Sequence, residues 1–94
     1  MKTCVFAGTF DPITKGHQYI IDKCLSLFDK VVVAVGVNVA KNPMFSLDER
    51  ISLIKELYKG NKNVSVMQFD GMLTKFMKEN NIDINVRGIR NEDL

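Results

Sequence analysis

The stretch Val31-Val32-Val33-Ala34-Val35-Gly36-Val37 limits the fold of this chain more than any other part of it. An uninterrupted, mostly β-branched apolar run suits a strand covered on both faces, as in a parallel sheet. It is too short to cross a bilayer as a helix. A strand covered on both faces needs helices above and below it, and the flanking sequence supplies them. His17–Phe28 has a helical period, with Ile20, Ile21, Cys24, Leu25 and Phe28 on one stripe. Ser46-Leu47-Asp48-Glu49 is a capping box, with Ser46 as N-cap. The helix it opens carries Leu47, Ile51, Ile54 and Tyr58 inward, towards a stop at Gly60. Met72–Glu79 is a third helix, with Leu73, Phe76 and Met77 facing in.

Shorter strands read at Lys2–Ala7, Val64–Gln68 and Asp83–Val86, so the order is β-α-β-α-β-α-β. Strands alternating with helices predict a parallel α/β sheet with right-handed crossovers. With strand order 3-2-1-4, the first two crossover helices lie on one face and the third on the other. Helix cover on that second face is then thin, and strand 4 is an exposed edge, which implies burial against further chain or a partner. Ligands of such sheets sit beyond the carboxyl ends of the strands, where strand order reverses. The segments placed there are Gly8–Gly16, Asn38–Phe45, Phe69–Met72 and Arg87–Arg90.

Residues 1–94 are read as one domain, without repeats or an internal linker. A net charge of +2, with scattered basic residues, gives no reason to expect nucleic acid or a membrane surface as partner. The apolar run Cys4–Ala7 is far shorter than a signal-peptide core, and the expected location is cytoplasmic. Cys4 and Cys24 lie in separate elements without metal-ligand spacing, and read as reduced, buried thiols.

The first βα segment, Gly8-Thr9-Phe10-Asp11-Pro12-Ile13-Thr14-Lys15-Gly16-His17, carries the chemistry. Gly8 and Gly16 let backbone approach a ligand, and His17 opens a helix whose free N–H groups favour phosphate. The spacing is neither that of the P-loop nor the three-glycine dinucleotide fingerprint. Gly-Thr-Phe-Asp-Pro followed by Thr-x-Gly-His resembles the signature of the nucleotidyltransferase superfamily. Thr14, where most of that superfamily has His, is similar to the pantetheine-phosphate adenylyltransferases. The resemblance continues through Ala40-Lys41-Asn42-Pro43-Met44-Phe45-Ser46-Leu47-Asp48-Glu49-Arg50 and ends in Arg87-Gly88-Ile89-Arg90. It covers the whole chain but only the first part of a family member.

The resemblance implies a Rossmann-like nucleotidyltransferase fold that joins the adenylyl group of ATP to 4′-phosphopantetheine, giving dephospho-coenzyme A and pyrophosphate. The acceptor phosphate is already ionised, so catalysis is mainly positioning and stabilisation of spreading negative charge. By resemblance, Thr9, Lys41, Leu73 and Arg87 hold the acceptor, and Thr9, Phe10, His17, Gly88, Ile89 and Arg90 hold ATP. His17 donates to the α-phosphate in the transition state, and Lys41 sits by the reacting oxygens. Magnesium is expected with ATP, although the sequence shows no metal site of its own. The family implies a homo-oligomer, a hexamer. A later strand and a serine-rich triphosphate loop of the family fold are expected to be absent.

Blander roles compete at several positions. Lys41 could be a solvated loop lysine, and Arg87 and Arg90 could form surface pairs with Glu92 and Asp93. Their places inside matching motifs argue against this. Asp11, before Pro12, reads as a turn former. Ser46 and Glu49 are explained by the cap, and Leu73 has the spacing of a core residue. Two other functions compete as well. One is a related transferase acting on nicotinamide mononucleotide or a polyol phosphate. The other is a truncated fold that binds ligand without turnover.

Overall fold

A computed structural model describes residues 2–37 and 43–87. Strands β1 (Thr3–Gly8), β2 (Lys30–Gly36), β3 (Val64–Phe69) and β4 (Ile84–Val86) alternate with helices α1 (Lys15–Leu27), α2 (Leu47–Leu57) and α3 (Leu73–Glu79). The sheet is parallel, in the order β3-β2-β1-β4. This is the arrangement expected from the sequence, and each element lies within a few residues of its expected bounds. The strand that prompted the reading is central: Val31 to Val35 are all buried.

Each sheet face has its own core. On one, Cys4, Phe6, Val31, Val33 and Val35 meet Ile21 and Cys24 of α1 and Ile54 of α2. On the other, Val5, Val32 and Ala34 meet Phe76 of α3 and Ile82. Alternate residues of β1 and β2 divide between the cores as strand geometry requires. The helices fall two to one across the sheet, as the crossovers predict. Cys4 and Cys24 are free and buried side by side; burial, reinforced by Cys24, pushes the Cys4 thiol up to about 12.

Two details depart from expectation. Helix α1 begins at Lys15, not at His17, because Thr14 is the N-cap. Gly60 lies beyond the end of α2, which is capped at Tyr58, and its φ of +87° turns the chain towards β3. The Tyr58 hydroxyl reaches the Asp22 carboxylate at 3.3 Å and fastens α2 to α1. Burial, and then the charge of Asp22, pushes the phenol up to about 12.

Candidate phosphate-handling site

All four strands run the same way, so their carboxyl ends share one edge of the sheet. Strand order reverses at β1, with β2 on one side and β4 on the other. Thr9 leaves the end of β1. Arg87 leaves the end of β4, where Val86 is level with Phe6. Both are exposed, at the carboxyl ends of neighbouring strands.

The segment after β1 is held from three directions. Phe10 has φ +49°, a left-handed conformation that costs an aromatic residue on the order of 1–3 kcal/mol. Burial of its ring offsets the cost, since Phe10 is only 2% exposed. The ring packs edge-on against Phe6 at 5.4 Å and against the His17 imidazole at 4.8 Å. A Cβ on Gly8 would lie 3.3 Å from the Phe10 ring. The absence of a side chain at Gly8 therefore makes room for the Phe10 ring.

Asp11 is more than a turn former. Its carboxylate accepts the backbone N–H of Met44 at 2.6 Å and of Phe45 at 2.7 Å, tying this segment to the start of α2. The bond between Asp11 and Pro12 is cis. From α2, Arg50 reaches in at 2% exposure and donates from Nη1 to the Thr9 carbonyl at 2.9 Å. The Gly36 carbonyl, at the end of β2, lies 3.5 Å from the same nitrogen. Among the described residues Nε of Arg50 has no partner. Sequence reading quoted Arg50 within a motif and gave it no role. Its position was the available signal: with Leu47, Ile51 and Ile54 it falls on the buried stripe of α2, where a cation must have a polar reason to be.

His17 occupies the third position of α1 and closes a reciprocal cap with Thr14. The His17 backbone N–H reaches Thr14 Oγ1 at 3.3 Å, while the Thr14 backbone N–H donates to His17 Nδ1 at 2.9 Å. Sequence reading missed this box because histidine takes the place usually held by Glu or Gln. The Thr-x-x-His spacing would have revealed it. Burial holds the imidazole below its ordinary 6.5, so the neutral form is favoured.

The structure thus groups Thr9, Phe10 and His17, and sets Arg87 at the end of the neighbouring strand β4. Leu73, the first residue of α3, packs into the core on the opposite face of the sheet. Lys41, Gly88, Ile89 and Arg90 lie outside the described residues, as do Glu92 and Asp93. No group of three His, Cys, Asp or Glu side chains among the described residues could hold a metal. None of the described helices is long and apolar enough to cross a membrane.

A parallel sheet whose order reverses at β1, with a helix starting just beyond that strand, is an arrangement of the nucleotide-handling α/β class. The cytidylyltransferase-like family model matches residues 5–92, and the chain belongs to that family. Among curated relatives, the phosphopantetheine adenylyltransferase of Campylobacter curvus is 45% identical over 89 residues, covering 95% of this chain and 57% of the relative. The protein of that name from Christiangramia forsetii is 45% identical over 95 residues, with 100% and 63% covered. One from Clostridium botulinum is 48% identical over 90 residues, with 96% and 55% covered. The chain therefore spans between 55% and 63% of the length of these relatives.

Solved structures agree on the fold. The lipopolysaccharide core biosynthesis protein from Thermoplasma volcanium superposes with a TM-score of 0.71 at 28% identity, over 90% of this chain and 72% of that one. The NadR protein in complex with NAD and AMP-PNP superposes with a TM-score of 0.66 at 25% identity, over 83% of this chain and 24% of that one.

Proposed function

We propose that this chain belongs to an enzyme that transfers the adenylyl group of ATP to 4′-phosphopantetheine, releasing pyrophosphate, as a step of coenzyme A synthesis. The observation that carries this reading is the 45–48% identity to phosphopantetheine adenylyltransferases along nearly the whole chain. Identity to the superposed structures is 25–28%, which gives the alternative acceptors less support.

In this reading Thr9, Lys41, Leu73 and Arg87 hold phosphopantetheine, and Thr9, Phe10, His17, Gly88, Ile89 and Arg90 hold ATP. The acceptor phosphate attacks the α-phosphorus in line. The bond to the bridging oxygen breaks, and the electron pair leaves with pyrophosphate. No protein base is required. His17 donates to the α-phosphoryl oxygens as charge builds, and Lys41 offers a point charge beside them. Magnesium would arrive on the ATP phosphates, a usual mode for this cation, and needs no protein cage. The expected setting is the cytoplasm, and the expected assembly a homo-oligomer, a hexamer as in the family.

The test is pyrophosphate release from ATP, with phosphopantetheine, nicotinamide mononucleotide or glycerol phosphate as acceptor. Release that depends on phosphopantetheine alone is expected. Release with another acceptor, and none with phosphopantetheine, would overturn the reading.

A further inference from the structure

We propose that Thr14 is a positioning residue that fixes His17 as its Nε2–H tautomer, so that the imidazole meets a phosphoryl oxygen with its donor already in place. The inference concerns the site of the proposed function, but its first half needs no substrate.

An amide N–H can only donate. With the Thr14 amide 2.9 Å from Nδ1, that ring nitrogen must present a lone pair. Thr14 Oγ1 is also 3.1 Å from Nδ1. The same oxygen accepts the His17 N–H, and with Nδ1 held unprotonated by the amide its own proton is free to point at that nitrogen. Two donors from one residue thus converge on one nitrogen. A proton on Nδ1 would face the Thr14 amide N–H and break that arm of the cap. In the neutral ring the proton therefore resides on Nε2, to which nothing among the described residues hydrogen-bonds. The edge contact with Phe10 at 4.8 Å restrains the ring from turning over to exchange its nitrogens.

The division of labour is specific. The threonine hydroxyl serves both ends of the cap at once, accepting from the helix and donating to the ring. Valine at the same place would keep the shape and the backbone N–H but lose both hydroxyl contacts. Serine would keep them.

The chain has a single histidine, so its imidazole nitrogens can be read without assignment by long-range ¹H–¹⁵N correlation. In the unaltered chain, above the titration of the ring, the spectrum should show Nδ1 unprotonated and Nε2 protonated. In Thr14→Val the ratio of tautomers should move towards Nδ1–H by up to about tenfold, the worth of one net hydrogen bond. Thr14→Ser should restore the original ratio. In the active enzyme Thr14→Val should lower kcat with little change in KM for ATP, and Thr14→Ser should recover it.

An Nδ1-protonated ring in the unaltered chain would overturn the proposal, as would a Thr14→Val spectrum identical to the original. If Thr14→Val does not fold, the unaltered chain and Thr14→Ser still decide it: both must show the Nε2–H form. If the spectra come out as expected and phosphopantetheine is not adenylylated, the positioning role stands and the functional reading falls.

Discussion

The guanidinium of Arg50 donates to the backbone carbonyl of Thr9 across 2.9 Å, from a side chain that is 2% exposed. A buried cation on α2 thus sets the backbone of a residue whose own side chain remains exposed. Arg50→Met would keep much of the apolar stem and leave the Thr9 carbonyl unmet. Relief of a buried charge works in the opposite direction. We expect the lost charged bond to dominate and stability to fall by roughly 1–3 kcal/mol. Denaturant melts would check this, and an unchanged midpoint would refute it.

Asp11 makes its two bonds to backbone N–H groups of Met44 and Phe45, more than thirty residues away in the chain. Asp11→Ala should cost about 1–3 kcal/mol and leave both amides unpaired. Hydrogen exchange at Met44 and Phe45 should rise well above that elsewhere in the chain. Asp11→Asn should recover little, because its amide group presents a donor where an acceptor is needed. Full recovery by asparagine would show that charge and acceptor count are irrelevant there.

Gly8→Ala tests the contact between strand end and ring. The added Cβ would stand 3.3 Å from Phe10, which is tight and not forbidden. The ring already touches Phe6 and His17, so a displaced ring presses on both. We expect a loss of about 1–3 kcal/mol by overpacking, with a shifted His17 ring resonance. Unaltered His17 signals would mean that the ring absorbs the methyl without passing it on.

His17→Ala in the active enzyme should lower kcat on the order of 10²–10³-fold, with ATP affinity nearly unchanged. A near-normal kcat would remove the proposed transition-state role.

The pH dependence of stability carries a sign. Burial lowers the His17 pKa from 6.5, so between that value and the folded pKa the unfolded chain binds the extra proton. The contribution is fully present above 6.5 and is lost as pH falls through the folded value. His17→Gln should flatten this part of the stability curve. A slope equally steep in both proteins would place its origin in other groups.

The sheet was legible because its signals are periodic. The Val31–Val35 run and the stripes through Ile21, Ile54 and Phe76 need no knowledge of distant contacts. The site was legible only as a string of residues. The contacts of Arg50, Asp11 and Phe10 within it join elements far apart in sequence, or depend on a left-handed backbone that no local pattern announces. Glycine at position 8 reads alike whether the space beside it holds a ligand or the Phe10 ring. The Thr14–His17 cap was local, and was overlooked because the usual pattern ends in a carboxylate or amide.

The two helices on one face and the single short helix on the other give the Thr9 and Arg87 positions unequal support. The Thr9 carbonyl is braced by the buried Arg50 guanidinium of α2, which also lies 3.5 Å from the Gly36 carbonyl of β2. Arg87 follows a strand only three residues long, which pairs with β1 alone among the described strands. Local opening costs least where cover and pairing are thinnest. The β4 flank should therefore exchange its amides first and give way first when a ligand enters. If the proposed ligands bind there, the Thr9 flank would act as an anvil, and adjustment to their bulk would fall to the Arg87 side.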